Sequence, residues 1–502
     1  VTASLLLTGA RVIGRDGLVD VRVDDGAVTA VVPAGAPTTG PEGGVGPEGG
    51  APEQVALDGR TLVPGLWDQH THLTQWAMVR RRLDVSAATS PQHAAALVRA
   101  GLADPATAPA PGQPLVGFGF RWAAWAQAPT ADVLDAVAGE VPVVLVSGDL
   151  HSAWASTAGL RFLGVEHPTG LLREEEWMPA SPRLVALPDD VTDALVADAA
   201  RAAAARGVVG VVDLELADNL TVWRRRLAAG WDGLRVRAGV WEQHLDAVLA
   251  EGLRTGDPLA PGALVTQGPL KVISDGSLNT RTACCFEPYA GSTGPDARGV
   301  LNVAPEHLVP LMARAHAAGL RCAVHAIGDR ANTLALDAFA ATGARGSVEH
   351  AQLLRWQDVQ RFAALGVVAS VQPEHAMDDR DVADRLWARR TDRNMPLATM
   401  LAAGVELVFG SDAPVAPLDP WQAVAAAVTR SRDGRAPWHP EQRIGVVPAL
   451  EASVDGAPLA LAAGMPADLA VLDADPLDAA TDLRATPVAG TLLAGRWTHR
   501  EL

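Results

Sequence analysis

The sequence predicts an α/β protein, a (β/α)8 TIM barrel with a small β-sandwich domain built from both chain termini. Three observations predict it. Between residues 59 and 444, apolar strand-length runs alternate with helical segments, the pattern of parallel strands joined by crossover helices. Both ends of the chain read instead as short strands separated by turns. Ligand-type side chains recur where barrel strands give way to loops, the end at which such barrels carry their sites. The expected division is 1–58 for the N-terminal part of the sandwich, 59–444 for the barrel and 445–502 for the C-terminal part of the sandwich.

Taken in order, residues 5–34 form short strands around turns at 14–17 and 24–26, with 19–23 alternating apolar and polar. Residues 34–52 are rich in Gly, Pro and Ala without periodicity and read as a surface loop. The strand candidates of the central region are 61–67, 115–118, 141–147, 208–212, 234–240, 270–274, 321–324, 346–348, 367–371 and 406–409, more than a barrel of eight needs. Some must therefore be extras. A helix is expected over 307–318, where Leu308, Leu311, Met312 and Ala315 recur at helical spacing, and Thr130 resembles an N-cap. After Gly445 short strands return at 467–473 and 488–497, the other half of the N-terminal sheet.

Composition narrows the partners. The 502 residues carry 41 Lys plus Arg against 58 Asp plus Glu, and a formal charge of −17 repels phosphate backbones and anionic membranes. Neither nucleic acid nor membrane is an expected partner; a small-molecule substrate is, and a homodimer stays open. The first residues lack the basic region of a secretory signal, and Cys284, Cys285 and Cys322 make neither a disulfide framework nor a CxxC zinc site, so a cytoplasmic location is expected.

The chain is organised around the apolar run that ends in Asp68-Gln69-His70-Thr71-His72. Residues two apart on a strand share a side, so His70 and His72 converge on one ion while Gln69 and Thr71 face away. Neutral imidazole suits a divalent metal, and Asp68 is free either to orient a ring or to join the shell. Further along, Lys271, His325, His350 and Asp412 end or follow apolar strands, as do Asp149 and His151. Four imidazoles, a lysine and an aspartate on different strands of one barrel suffice for one or two divalent ions, zinc being expected. A lysine in an apolar strand loses its charge by desolvation and then serves as a base, a Schiff-base former or a carbamate; the alternative is a buried ion pair with Asp275 or Asp412.

The order HxH, Lys, His, His, Asp resembles the amidohydrolase superfamily, and within it the YtcJ-like branch that includes N-substituted formamide deformylases. The resemblance runs through 271–289 (KVISDGSLNTRTACCFEPY), 324–332 (VHAIGDRAN), 348–352 (VEHAQ) and 409–421 (FGSDAPVAPLDPW), and spans nearly the whole chain. It implies a metal-dependent hydrolase of carbon–nitrogen bonds in which His70 and His72 bind one metal, a carboxylated Lys271 bridges to a second held by His325 and His350, and Asp412 is catalytic. The segments 117–125 (GFGFRWAAW) and 149–154 (DLHSAW) are similar to stretches near the substrate pocket in that branch, which implies substrate contacts for Trp122, Asp149 and His151. Core packing is the competing reading for Trp122, Trp125 and Trp154. Leu150 stands where the branch commonly has Gly, with a narrower pocket as the expected effect. Cyclic-amide hydrolysis or deamination uses the same ligands, and a non-catalytic regulator would show a lost ligand.

Overall fold

The computed structural model describes residues 4–38 and 51–502, except 106, 111, 123, 124, 149, 151 and 186. The chain forms two compact units, Val1–Leu73 with Ala200–Leu502, and Thr74–Ala199.

The first unit holds a closed barrel of eight parallel strands: β1 (Leu66–Thr71), β2 (Val208–Asp213), β3 (Arg235–Trp241), β4 (Val265–Ile273), β5 (Cys322–Ala326), β6 (Gly346–His350), β7 (Val368–Val371) and β8 (Leu407–Phe409). Sequential strands are neighbours throughout. A parallel bridge between Thr71 and Ala413 closes the ring, with Asp412 donating its N–H to His70 O at 2.7 Å and His72 to Ala413 O at 2.8 Å. Gly410 makes that closure possible, because a Cβ there would sit 2.7 Å from both the Cβ and the backbone N of His70. Helices cover the crossovers. The one over Pro305–Ala317 buries Leu308, Leu311, Met312 and Ala315, the face its spacing predicts.

Both chain ends contribute to one further sheet, in the order Arg496–Arg500, Val488–Leu493, Leu469–Leu472, Thr61–Pro64, Leu5–Val12, Val19–Asp24, Ala27–Pro33, with Glu53–Ala56 paired to Leu5–Val12. Leu7, Val21, Leu62, Leu469, Val471 and Leu492 meet in its core. Two expected strands are each split in two. The run at 61–67 breaks at Gly65, where a Cβ would lie 2.3 Å from Val209, so the chain leaves this sheet after Pro64 and enters the barrel at Leu66. The run at 488–497 turns back at Ala494 and Gly495, both at positive φ, the conformation that a tight hairpin requires.

The second unit follows β1 as a long insertion. It holds a five-stranded sheet in the order Leu171–Arg173, Ser152–Ala155, Val143–Ser147, Leu115–Phe120, Leu83–Asp84. The strands predicted at 115–118 and 141–147 belong here and are the extras. They flank the helix Ala131–Ala138 in a βαβ unit, whose local pattern is that of a barrel repeat. Trp154 is fully buried in this core, Phe120 and Trp125 make T-shaped contacts with it, and Leu150 packs against the opposite face at φ +65, a conformation native to glycine. Among the described residues no helix is long and apolar enough to cross a membrane.

Candidate metal centre

The HxH reading of alternation holds at the end of β1. Gln69 turns away to donate to Asp455 at 2.9 Å, and Thr71 donates to Val212 O at 3.1 Å, while His70 and His72 face the barrel mouth with ring centroids 5.8 Å apart. The Asp412 carboxylate meets both, at 3.5 Å from His70 Nε2 and 3.2 Å from His72 Nε2. Lys271 Nζ lies 3.2 Å from His70 Nε2. The His350 ring stands 5.0 Å from that of His70, and the His325 ring 4.4 Å from that of His350. The six residues read from the sequence as ligand-type thus form one continuous cluster at the C-terminal ends of β1, β4, β5, β6 and β8.

Two alternatives for neighbouring groups are corrected. Asp68 neither faces an imidazole nor joins the cluster; it accepts the backbone N–H groups of His70 at 3.1 Å and Ser411 at 2.9 Å, fastening β1 to the loop after β8. Burial pushes its carboxyl up to about 7. Asp275 does not pair with Lys271. Its carboxylate accepts the backbone N–H groups of Cys284, Ile327 and Gly328 at 2.8 to 3.0 Å, which fixes the loops after β4 and β5.

Glu349 was missed by sequence reasoning. Its Oε2 accepts from His70 Nδ1 at 2.7 Å, which fixes the tautomer and leaves Nε2 turned to the cluster. Successive strand residues point to opposite sides, so Glu349 and His350 were not expected to serve one site. His350 lies at φ +72 and Ala351 at φ +42, and this reversal at the strand end brings both side chains to His70. Gln372 and His375, after β7, were also missed. Gln372 Nε2 comes within 3.4 Å of His70 Nδ1, and the His375 ring stacks on His350.

Burial favours the neutral form of two of the imidazoles, His70 and His350. Burial, then the Lys271 ammonium, hold His70 down to about 4, and burial followed by His325 keeps His350 well below the ordinary imidazole value. Burial also lowers Lys271, favouring the free amine. Burial opposes the Asp412 charge, yet His70, His72 and His350 together hold its carboxyl well below the usual range. For His72 burial again opposes charge, but the Asp412 contact outweighs it and raises the pKa. Ligand-type atoms of His70, His350 and Asp412 lie within 4.8 Å of one another, and the buried Nδ1 atoms of His72 and His350 have no hydrogen-bond partner among the described residues. Neutral imidazoles around an ionised carboxylate fit a divalent cation.

Of the other expected site residues, Asp149 and His151 lie outside the described residues. Trp122 belongs to the second unit, where it packs on the core beside Trp125, donates to Ser152 Oγ at 3.2 Å and takes the Arg173 guanidinium over its ring at 4.4 Å.

A family model described as amidohydrolase family matches residues 53–499. The chain belongs to the amidohydrolase family. Membership places it among hydrolases. This amidohydrolase is 28% identical to Protein LONG AFTER FAR-RED 3 of Arabidopsis thaliana, over 88% of this chain and 83% of that one. It is 26% identical to the N-substituted formamide deformylase of Arthrobacter pascens, over 89% and 90%. Its fold is similar to that of an uncharacterized metal-dependent hydrolase from Pyrococcus horikoshii OT3, with a TM-score of 0.76, 24% identity and coverage of 96% and 100%.

Proposed function

We propose that this amidohydrolase cleaves a carbon–nitrogen bond, in an amide or N-substituted formamide with an apolar substituent, with one or two divalent ions, zinc first among them. The observation that carries the reading is the Asp412 carboxylate held between the two imidazoles of the HxH pair, at 3.2 and 3.5 Å. In the proposed site His70, His72, His325, His350 and Asp412 would hold metal, and Lys271, favoured as a neutral amine by burial, would take up carbon dioxide with release of a proton and supply an anionic carbamate ligand. A bound divalent ion supplies acidified water and a polarised carbonyl. The chain's own residues do the rest. Ionised Asp412 takes the proton of the attacking water and delivers it to the departing nitrogen, which leaves only when protonated. Glu349 holds His70 in the ligating tautomer, and Asp68 and Asp275 keep the loops in place through backbone hydrogen bonds.

The apolar substituent is supported by Leu216 and Ile273, which are 56% and 36% exposed on the strand-end side of β2 and β4. The relative that deformylates N-substituted formamides supports the formamide class. A regulator that had lost catalysis would lack a ligand, whereas all six ligand-type residues are present and clustered. Metal analysis of protein purified without chelator, followed by a screen of N-substituted formamides, aryl amides and cyclic ureas, tests the reading. Stoichiometric metal with formate released from an N-substituted formamide is expected; metal-loaded protein inert on every C–N compound refutes it.

A further inference from the structure

The geometry points to His375 as a substrate-contacting residue, the hydrogen-bond donor to the acyl oxygen of the scissile amide; this rests on the C–N hydrolase reading above. His375 follows β7, which lies between β6, the strand of His350, and β8, which leads to Asp412. Its ring lies nearly parallel to that of His350, at 6.0 Å between centroids and 16° between planes. It is not one of the three residues whose donor atoms converge. At 6% exposure it is buried, yet its Nε2 has no hydrogen-bond partner among the described residues. An unpaired buried imidazole nitrogen is destabilising, and one kept beside a reactive cluster calls for a ligand.

The surrounding chain fixes the backbone turn that carries this ring. The Asp379 N–H donates to His375 O at 2.8 Å, and the Asp379 carboxylate accepts from Asn279 at 2.9 Å and Gln352 at 3.1 Å, tying the turn to the loops after β4 and β6. On its other side Glu374 is clamped by Arg432 at 2.7 Å and Arg484 at 2.8 Å. An imidazole on a turn fixed from both flanks, with a ring nitrogen that is a donor in the Nε2–H tautomer, is preorganised for charge that develops during reaction. With Asp412 serving the nitrogen, the remaining polar end of the amide is the acyl oxygen, where negative charge grows as water adds. His375 donates there without giving up its proton.

The test uses the metal-loaded full chain with His375→Ala and His375→Gln, measuring metal per chain, kinetics on N-benzylformamide and formate binding by calorimetry. Metal content should equal that of the parent. For the Ala variant kcat should fall by ~10²–10³ with KM within about threefold, and formate should bind at least about fivefold more weakly. The Gln variant, whose amide retains a donor, should recover part of the loss. A kcat within about threefold of the parent removes the substrate contact, and loss of metal from the Ala variant makes His375 a support of His350 instead; either result overturns the assignment. Should the parent cleave no C–N compound, the functional reading fails on its own, and formate alone decides His375: equal affinity in parent and variant, or no binding to the parent, overturns it.

Discussion

Removing Glu349 separates a supporting carboxylate from a ligand. Its hydrogen bond to His70 Nδ1 is 2.7 Å long, with side chains 1% and 2% exposed, so no water stands ready to replace it. In Glu349→Ala the imidazole N–H is left unpaired, at about 1–3 kcal/mol, and the ring is free to change tautomer and turn Nε2–H to the cluster. Loss of such a partner lowers metal affinity by about 10–100-fold, and the full burial here puts Ala at the upper end. Glu349→Gln keeps an acceptor without the charge and should sit near tenfold, about 1.4 kcal/mol. Competition for zinc against a chelator of known affinity measures both, and urea unfolding of the metal-free proteins measures the stability difference. An Ala variant that binds zinc within about threefold of the parent refutes the reasoning, because His70 orientation would then owe nothing to Glu349.

Three further outcomes follow from the site. Asp412→Asn, which keeps the size but loses the proton acceptor, should lower kcat by ~10² or more, and activity within a few-fold of the parent would assign proton transfer to another group. Lys271→Ala should lose at least one equivalent of metal and most activity, with partial return of both on adding a short carboxylic acid; elemental analysis with and without propionate reads this out. Gly410→Ala forces a methyl group to within 2.7 Å of His70, so β8 must move off β1. A loss of about 1–3 kcal/mol in stability together with weaker metal binding is expected, checked by denaturation and zinc competition; a variant equal to the parent in both would mean that the closure yields freely.

Much of this architecture was written locally. Alternation of strand and helix specified a barrel, because each repeat must bury one strand and one helical face; the spacing in 307–318 gave the buried face of its helix residue by residue. The two-residue period of a strand put His70 and His72 on one side and sent Gln69 and Thr71 to the other. What the period does not carry is which repeats join one sheet. The segments at 115–118 and 141–147 have barrel-like patterns but pair within the inserted unit, a choice made by long-range packing.

The site divides in the same way. Lys271, His325, His350 and Asp412 were legible because they recur together with the HxH pair on the apolar strands of one barrel, although any one of them alone would pass as a capping or hydrogen-bonding residue. Their partners were not. Glu349 meets His70 across 279 residues of sequence, and it does so only because the strand end reverses at His350, φ +72, against the alternation that a sequence reader must assume. Asp68 and Asp275 look like ligands or counter-ions in the sequence, yet both accept backbone N–H groups of neighbouring segments, and Asp275 stands 3.4 Å from His325 Nε2 and not beside Lys271. His375 sits in an unremarkable helical turn until the barrel closes and stacks it on His350. Residue type and spacing determined which groups could reach the barrel mouth; backbone closure, burial and competition among hydrogen-bond partners decided what each of them does there.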